Sequence, residues 1–589
     1  MARSWRWSAC LLPSASLALL MACGGGGGSS SSSSSPSGTP SATPGITADA
    51  QTPSVPSGLT ATAISSRSVT LTWMAATDNV AVSGYDVLRD GVVVGSVNGA
   101  TLSYSEAALA SNTSYSYAVR AKDAAGNLSA ASTALPVTTS GWPVLGGDPG
   151  VSAYRSAPSN SAFYVDAANG NDANDGRSSA KAWKTLDRLH SQKLGPGDVV
   201  RLARGSVWSR QNLYLDEGNG SAGTAVSPVI FEAYGTGQPP TIADPRALWD
   251  KSKPFAAVFL GNTARYITIL DLRIQDGGEQ VGVSLSRSSE GIVLGHLEIL
   301  RCGTGIGVAG KNQKVLSCYI HDINRSSSGI GIGFLGSNLE FAWNRLTHCV
   351  TVRSDGVEDG SPFEYYGRNV DNHGVETFDL SDNIQIHHNR VDDCLNFIEG
   401  YGNATNLVIA YNLYVNSPAN PLVMHLDDCE HATWTHECTY DMRVENNTFV
   451  PTREANPGGW GAYGLLVDWN HSADPAKSHM VVRNNLLVTN YTALSWINPL
   501  GANLVHDHNQ FFFPDKGKLC TNAGVWVQDA TEILGDPKFT DAAQQNYQLT
   551  AGSPGIGKGA PASYAVDLAG TPVPAGAAAD IGAFQYVAP

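Results

Sequence analysis

The chain has 589 residues, a formal charge of −15 at pH 7 and 15% charged residues. That length asks for more than one domain, and the acidic balance excludes nucleic acid as a partner, because a phosphate backbone selects basic surfaces.

Residues 1–23 bear on the compartment. Arg3 and Arg6 form a short basic region, and residues 11–21 are an apolar stretch too short to span a bilayer permanently. The following Leu20-Met21-Ala22-Cys23 resembles a bacterial lipoprotein cleavage box. The resemblance implies signal cleavage and an acylated Cys23; an ordinary signal peptide with a chance cysteine is the alternative. Residues 24–52 hold a glycine run, a serine run and a Pro/Ser/Thr tract, which make a flexible tether unable to pack a core. Gly24 directly after the cysteine, where Asp would signal retention, resembles outer-membrane sorting in Gram-negative bacteria. The expected location is therefore the cell surface or periplasm, lipid-anchored to the outer membrane. No other segment is apolar enough to cross a membrane.

Residues 53–140 alternate apolar and polar residues between turn signals, as in Val69-Thr70-Leu71-Thr72-Trp73, Tyr85-Asp86-Val87-Leu88 and Tyr115-Ser116-Tyr117-Ala118-Val119. Short strands at that spacing predict a β-sandwich. The run Leu109, Thr113, Tyr115, Tyr117, Val119, Ala121, with Trp73 upstream, resembles a fibronectin type III domain with Tyr115 in the tyrosine-corner place. In this setting such a module is more often a spacer than a binder.

Next come Phe163-Tyr164-Val165-Asp166, an Asx-rich turn over residues 170–176, and helically spaced apolar residues over 180–186. They predict a strand, a turn and a helix that caps a repeating structure beginning near Gly197. Asp172 and Asp175 suit either a turn held by its own backbone or calcium.

Six asparagines then recur at one point of a unit: Asn344, Asn389, Asn412, Asn447, Asn485 and Asn509, spaced 45, 23, 35, 38 and 24 residues apart. That reads as a coil of roughly 23 residues with three insertions. Such a coil cannot bury its own inner face, so coils must stack, and stacked turns let asparagine side chains bond up the pile. The ladder resembles that of right-handed parallel β-helices of the pectate lyase type, which implies an all-β solenoid over residues 160–585 following the small sandwich, and mostly polysaccharide-directed activity. Counting on from the asparagines stacks Cys302, Cys349 and Cys394 inside the coil, as buried thiols or as a disulfide between Cys349 and Cys394. Cys429 and Cys438 close a short loop and are expected to form a disulfide, with a zinc site including His431 and His436 as the alternative.

In the pectate-lyase-like proteins the third strand of each coil faces the substrate groove. Counting back from the next coil's first strand aligns Ser284, Gly307, Gly331, Glu376 and Glu399, and alternation turns this set outward together with His425, Asp427 and Asp468. Stacked like charges are costly on a purely structural face. The insertions 350–373, 429–441, 450–463 and 470–479 carry Arg353, Arg368, His373, Trp434 and Lys477, residues suited to stacking on sugars and gripping carboxylates. Merely solvated loops are the plainer alternative.

Three functions fit, each taking a polysaccharide as partner and a monomer as the working form. A lyase acting on a uronic-acid polymer would hold Ca²⁺ with Glu376, Glu399 and Asp427, use His425 or His373 as base, and bind substrate with Arg353, Arg368 or Lys477. No Lys or Arg lies on the groove strands, which departs from the family's pattern. A glycoside hydrolase would use paired carboxylates. A non-catalytic glycan-binding or adhesion protein would need no such pair. The lyase is the leading expectation.

Overall fold

The computed structural model describes residues 49–588 except 65–68, 107–108, 110–113, 140–149, 157–161, 217–219, 244–255, 278–280, 326–328, 353–357, 367–380, 402–403, 417–420, 426–439, 452–466, 469–478, 491, 495–502, 516–517 and 521–526. The chain forms two units, Met1–Pro143 and Val144–Pro589.

In the first unit a three-stranded sheet (Ser57–Ile64, Val69–Met74, Ser103–Glu106) and a four-stranded sheet (Val82–Arg89, Val92–Asn98, Ser114–Asp123, Leu135–Thr138) are both antiparallel. Period-two alternation sends Val69, Leu71, Trp73, Tyr85, Val87, Tyr117, Val119 and Ala121 into one core. Trp73 and Tyr85 meet edge to face at 5.5 Å, and Tyr115 packs half-buried against that core.

The second unit is a right-handed parallel β-helix with three sheets. Each coil adds one strand to a first sheet of 12 strands, one to a second of 12, and, over the middle of the stack, one to a third of nine. A single apolar core fills the coils from Phe163 to Phe511. The turn between first and second sheets explains the asparagines. The residue ahead of each is left-handed (Trp343, His388, Tyr411, Asn446, Asn484 and His508), which bends the chain sharply and directs the next side chain inward. Inside, an asparagine pairs backbone groups that the bend leaves over. Asn412 Oδ1 accepts from Asn389 N and Nδ2 at 2.9 and 3.0 Å, while its Nδ2 donates to Ile386 O and Asn447 Oδ1. The same pattern joins all six in order. Cys318 N–H meets the ladder at Asn344 Oδ1, and Asn509 Nδ2 ends it on Glu532 Oε1.

A second ladder runs outside, where Asn406, Asn383, Asn338 and Asn312 each donate to the preceding member and Asn312 donates to Glu290. Cys302, Cys318, Cys349 and Cys394 are free and buried, so the thiol reading holds for Cys349 and Cys394. Cys23, Cys429 and Cys438 lie outside the described residues.

The expected capping helix over 180–186 is not there. Residues Ser179–Lys181 make one 3-10 turn, Trp183 then bridges Val165 in extended form, and the helix is the single turn Asp187–His190. A tryptophan with 1% exposure locked against the first rung outweighs helical spacing. Asp172 accepts from Lys184 N, Thr185 N and Thr185 Oγ1, the arrangement expected of a turn held by its own hydrogen bonds. Residues 150–156 also pack on this unit, through Val151 against Leu270, Val293 and Leu316. At the other end, residues after 535 fold back along the outside. Tyr564 packs on His387, His388 and Tyr411, and Gly582 N–H donates to Asn484 O.

Candidate active site

The third sheet carries the site. Its register aligns Tyr214, Phe259, Ser284, Gly307, Gly333, Glu364, Glu399, Val423 and Val467 in one row across successive strands. Flanking Val283, Ile306, Ile332, Phe334, Phe363 and Ile398 are buried in the core, so by alternation the side chains of this row from Tyr214 to Glu399 face out.

The backbone register pairs Glu399 with another glutamate and departs from the sequence alignment at Gly331 and Asp468. Glu399 stands level with Glu364 of strand Phe363–Tyr366. Counting back from the next coil's first strand placed the insertion before the groove strand; residues 367–380 follow that strand instead. Glu376 itself lies outside the described residues. Gly331 is replaced in the row by Gly333, because a Cβ on Gly331 would lie 2.7 Å from Leu346 Cδ2, inside the coil. Asp468, expected outward, pairs with Met424 and through it with Gly400, one residue out of phase with Glu399.

His425 ends the third-sheet strand Leu422–His425. It pairs with Tyr401, which pairs with Tyr366, giving a second row two residues beyond the carboxylates. Asp427, Arg353, Arg368, His373, Trp434 and Lys477 lie outside the described residues. The structure thus brings together Glu364 and Glu399 in one row and Tyr366, Tyr401 and His425 in the next. The signal that would have found Glu364 is a repeated apolar-Glu-x-Tyr pattern: Phe363-Glu364-Tyr365-Tyr366 and Ile398-Glu399-Gly400-Tyr401.

The two carboxylates have different surroundings. Glu364 is only 6% exposed. Glu399 is half-buried, and its Oε2 accepts from Ser361 Oγ at 2.6 Å and from Asn396 Nδ2 at 3.3 Å. Ser361 and Asn396 are themselves buried, so they fix the Glu399 carboxylate rather than follow it. Adjacent rungs hold the two glutamates about 4.8 Å apart at the backbone.

Along the row away from this pair the floor is bare at Gly307, where a Cβ would touch only Val281 Cγ1 at 3.8 Å and Val283 O at 4.0 Å. Packing therefore does not demand glycine there. Further on, the rings of Phe259 and Tyr214 stack at 5.5 Å with 13° between their planes, both half-buried. The row offers flat aromatics, then open floor, then two acids.

Comparison with known proteins gives findings of two kinds. Residues 54–138 match the model of the fibronectin type III domain. A chitinase, Chi52, of Paenibacillus xylanexedens is 53% identical over 94 residues, covering 16% of this chain and 18% of the chitinase. Exoglucanase B of Cellulomonas fimi is 36% identical over 204 residues, covering 33% of this chain and 18% of that enzyme. The chain thus spans less than a fifth of these curated relatives. Among solved structures, the pectate lyase Pel9A is similar with a TM-score of 0.45 and 13% identity, covering 73% of this chain and 97% of its own. The GH136 lacto-N-biosidase of Eubacterium ramulus is similar with a TM-score of 0.42 and 17% identity, covering 63% and 67%. The chain is a parallel β-helix preceded by a fibronectin type III domain.

Proposed function

We propose that the protein is an extracellular polysaccharide-cleaving enzyme, lipid-anchored through Cys23, whose third sheet is the floor of the substrate groove and whose Glu364 and Glu399 cleave a glycosidic bond by hydrolysis. The observation that carries the reading is the pair itself: two glutamates in register on adjacent rungs of an outward row, one nearly enclosed and one held by two buried donors. Division of labour between two carboxylates requires unlike environments. The held Glu399 suits the ionised partner, nucleophile or base, and the enclosed Glu364 the acid. A rung spacing of about 4.8 Å lies near the roughly 5–5.5 Å separation used by retaining glycosidases. The chitinases and the exoglucanase that share the N-terminal domain are named as glycan-cleaving enzymes, which agrees with a glycan as substrate.

Elimination on a uronate polymer is the second reading. None of the nine described third-sheet strands contains Lys or Arg to neutralise a substrate carboxylate. A lyase on this face would draw its neutralising charge from a cation or from the insertions that carry Arg353, Arg368 and Lys477, and two oxygen donors on adjacent rungs are the right chemistry for Ca²⁺. Glu364 and Glu399 would hold it beside His425 as base. A screen on purified polysaccharides, following reducing ends and the ultraviolet absorbance of unsaturated uronate together, separates the readings. Reducing ends without that absorbance, insensitive to chelation and lost in Glu399→Gln, support hydrolysis. Absorbance that chelation abolishes supports the lyase. Binding without turnover overturns both in favour of a glycan-binding protein.

A further inference from the structure

We propose that the first unit contains a calcium site built from Asp49, Asp78 and Asp123, which fastens the residues ahead of the sandwich onto its loops. The three acids come from separate segments: the lead-in to the first strand, the loop after Val69–Met74, and the end of Ser114–Asp123. Each nevertheless presents a carboxylate oxygen within 4.8 Å of the other two. Two ligands facing each other across a calcium ion at about 2.4 Å would be about 4.8 Å apart.

Repulsion alone would spread such a cluster. Among the described residues no basic side chain pairs with any of the three, whereas Asp86 in the same unit has both Arg120 and Lys122. What points to a ligand is the state of two oxygens. Asp49 Oδ2 and Asp78 Oδ1 are sealed from solvent and have no hydrogen-bond partner. The opposite oxygens are occupied and orient the groups: Asp49 Oδ1 accepts from Gln51 N and Asn79 Nδ2, and Asp78 Oδ2 from Val80 N and Ala81 N. Asn127 holds both oxygens of Asp123 and also donates to Asp49 O, so the three segments already lean together.

A buried carboxylate oxygen with no donor is a costly arrangement that a cation relieves. The donor set is all oxygen, with no Cys or His, which selects a hard divalent ion over zinc. Calcium tolerates the irregular, partly hydrated shell that three carboxylates from separate segments provide better than magnesium does. Bound there, it ties Asp49, at the end of the Gly/Ser/Pro-rich tract, to the sandwich.

The test uses the whole chain stripped with chelator. Isothermal titration with CaCl₂ should count one more equivalent in the wild type than in Asp78→Asn or Asp123→Asn, whatever other calcium the chain binds. Hydrogen exchange of the wild type should slow at Asp49–Gln51, Asp78–Ala81 and Asp123–Asn127 when calcium is added, a readout that does not depend on the variants folding. Equal stoichiometry in folded variants, or exchange in those segments indifferent to calcium, overturns the proposal.

Discussion

The first two sheets of the β-helix and the third solve the same electrostatic problem differently. On the first sheet Glu232 has Arg201 at 3.2 Å, Glu340 has Lys314 and His387, and Glu445 has Arg443 at 2.8 Å. On the second, Glu298 lies between Arg273 and His321. The described third-sheet strands have acids on adjacent rungs and no Lys or Arg. Side-by-side like charge is the more expensive arrangement in a sheet, so the third sheet, which doubles its acids within its strands, differs from two sheets that pair these acids with cations from strands of the same sheet.

The largest effect expected from breaking this contrast is at the pair. Glu399→Gln and Glu364→Gln should each lower kcat on a confirmed substrate by about 10³-fold or more, in the range seen for single catalytic groups, with urea midpoints close to wild type. Arg273→Leu should do the reverse. Removing the cation beside a Glu298 that is 4% exposed should cost about 3–5 kcal/mol in unfolding free energy, with activity per folded molecule unchanged. If Arg273→Leu instead cut turnover and spared stability, the division between faces would fail.

The two ladders sharpen the comparison further. Asn412→Ala removes four buried hydrogen bonds and should cost about 3 kcal/mol. Asn338→Ala in the exposed ladder should cost about 0.5–1 kcal/mol. Denaturant unfolding of both variants reads the difference directly.

A pH experiment addresses the corner between first and second sheets. Burial first, then the neighbouring His387, lowers the pKa of His388 from 6.5 to about 3, although Val566 O accepts from its ring. A depressed histidine contributes stability that is complete above the unfolded value and lost as pH falls from 6.5 toward 3. Between pH 6.5 and about 5, before most carboxylates titrate, His388→Phe should unfold with a flatter pH dependence than wild type. The smallest effect is at the far end of the groove row. Phe259→Ala should raise KM for long substrates by a factor corresponding to about 0.5–1.5 kcal/mol and leave kcat unchanged.

Much of this architecture is legible in the chain because it is periodic. Asn344 through Asn509 announce themselves: each occupies an identical bend, and an amide both donates to and accepts from the groups left there. Cys349 and Cys394 follow by the same count. Glu364 is not reached by that count, because the register from one third-sheet strand to the next coil passes through a 14-residue stretch, 367–380, whose side of the strand the apolar pattern does not record. Cys318 sits where the ladder would continue, yet an apolar thiol in that position breaks the asparagine pattern that reveals it. The outer ladder of Asn312, Asn338, Asn383 and Asn406 is hidden for another reason: its members sit at left-handed positions at or just ahead of the starts of first-sheet strands, where asparagine is expected anyway. The capping helix failed where Trp183 imposed a long-range contact on a local preference.

The fold-back of residues after 535 bears on the order in which the molecule is made. His388 binds Val566, Asn446 binds Asp580, and Asn484 binds Ala560, so a late stretch covers bends that left the ribosome well over 70 residues earlier. Until it arrives, those coils can stack and knit their inner amides but their outer corners stay wet. Deleting the stretch should therefore yield a chain that assembles coils and then sheds them from the C-terminal end, whereas the intact chain must release its own tail before any of those coils can open.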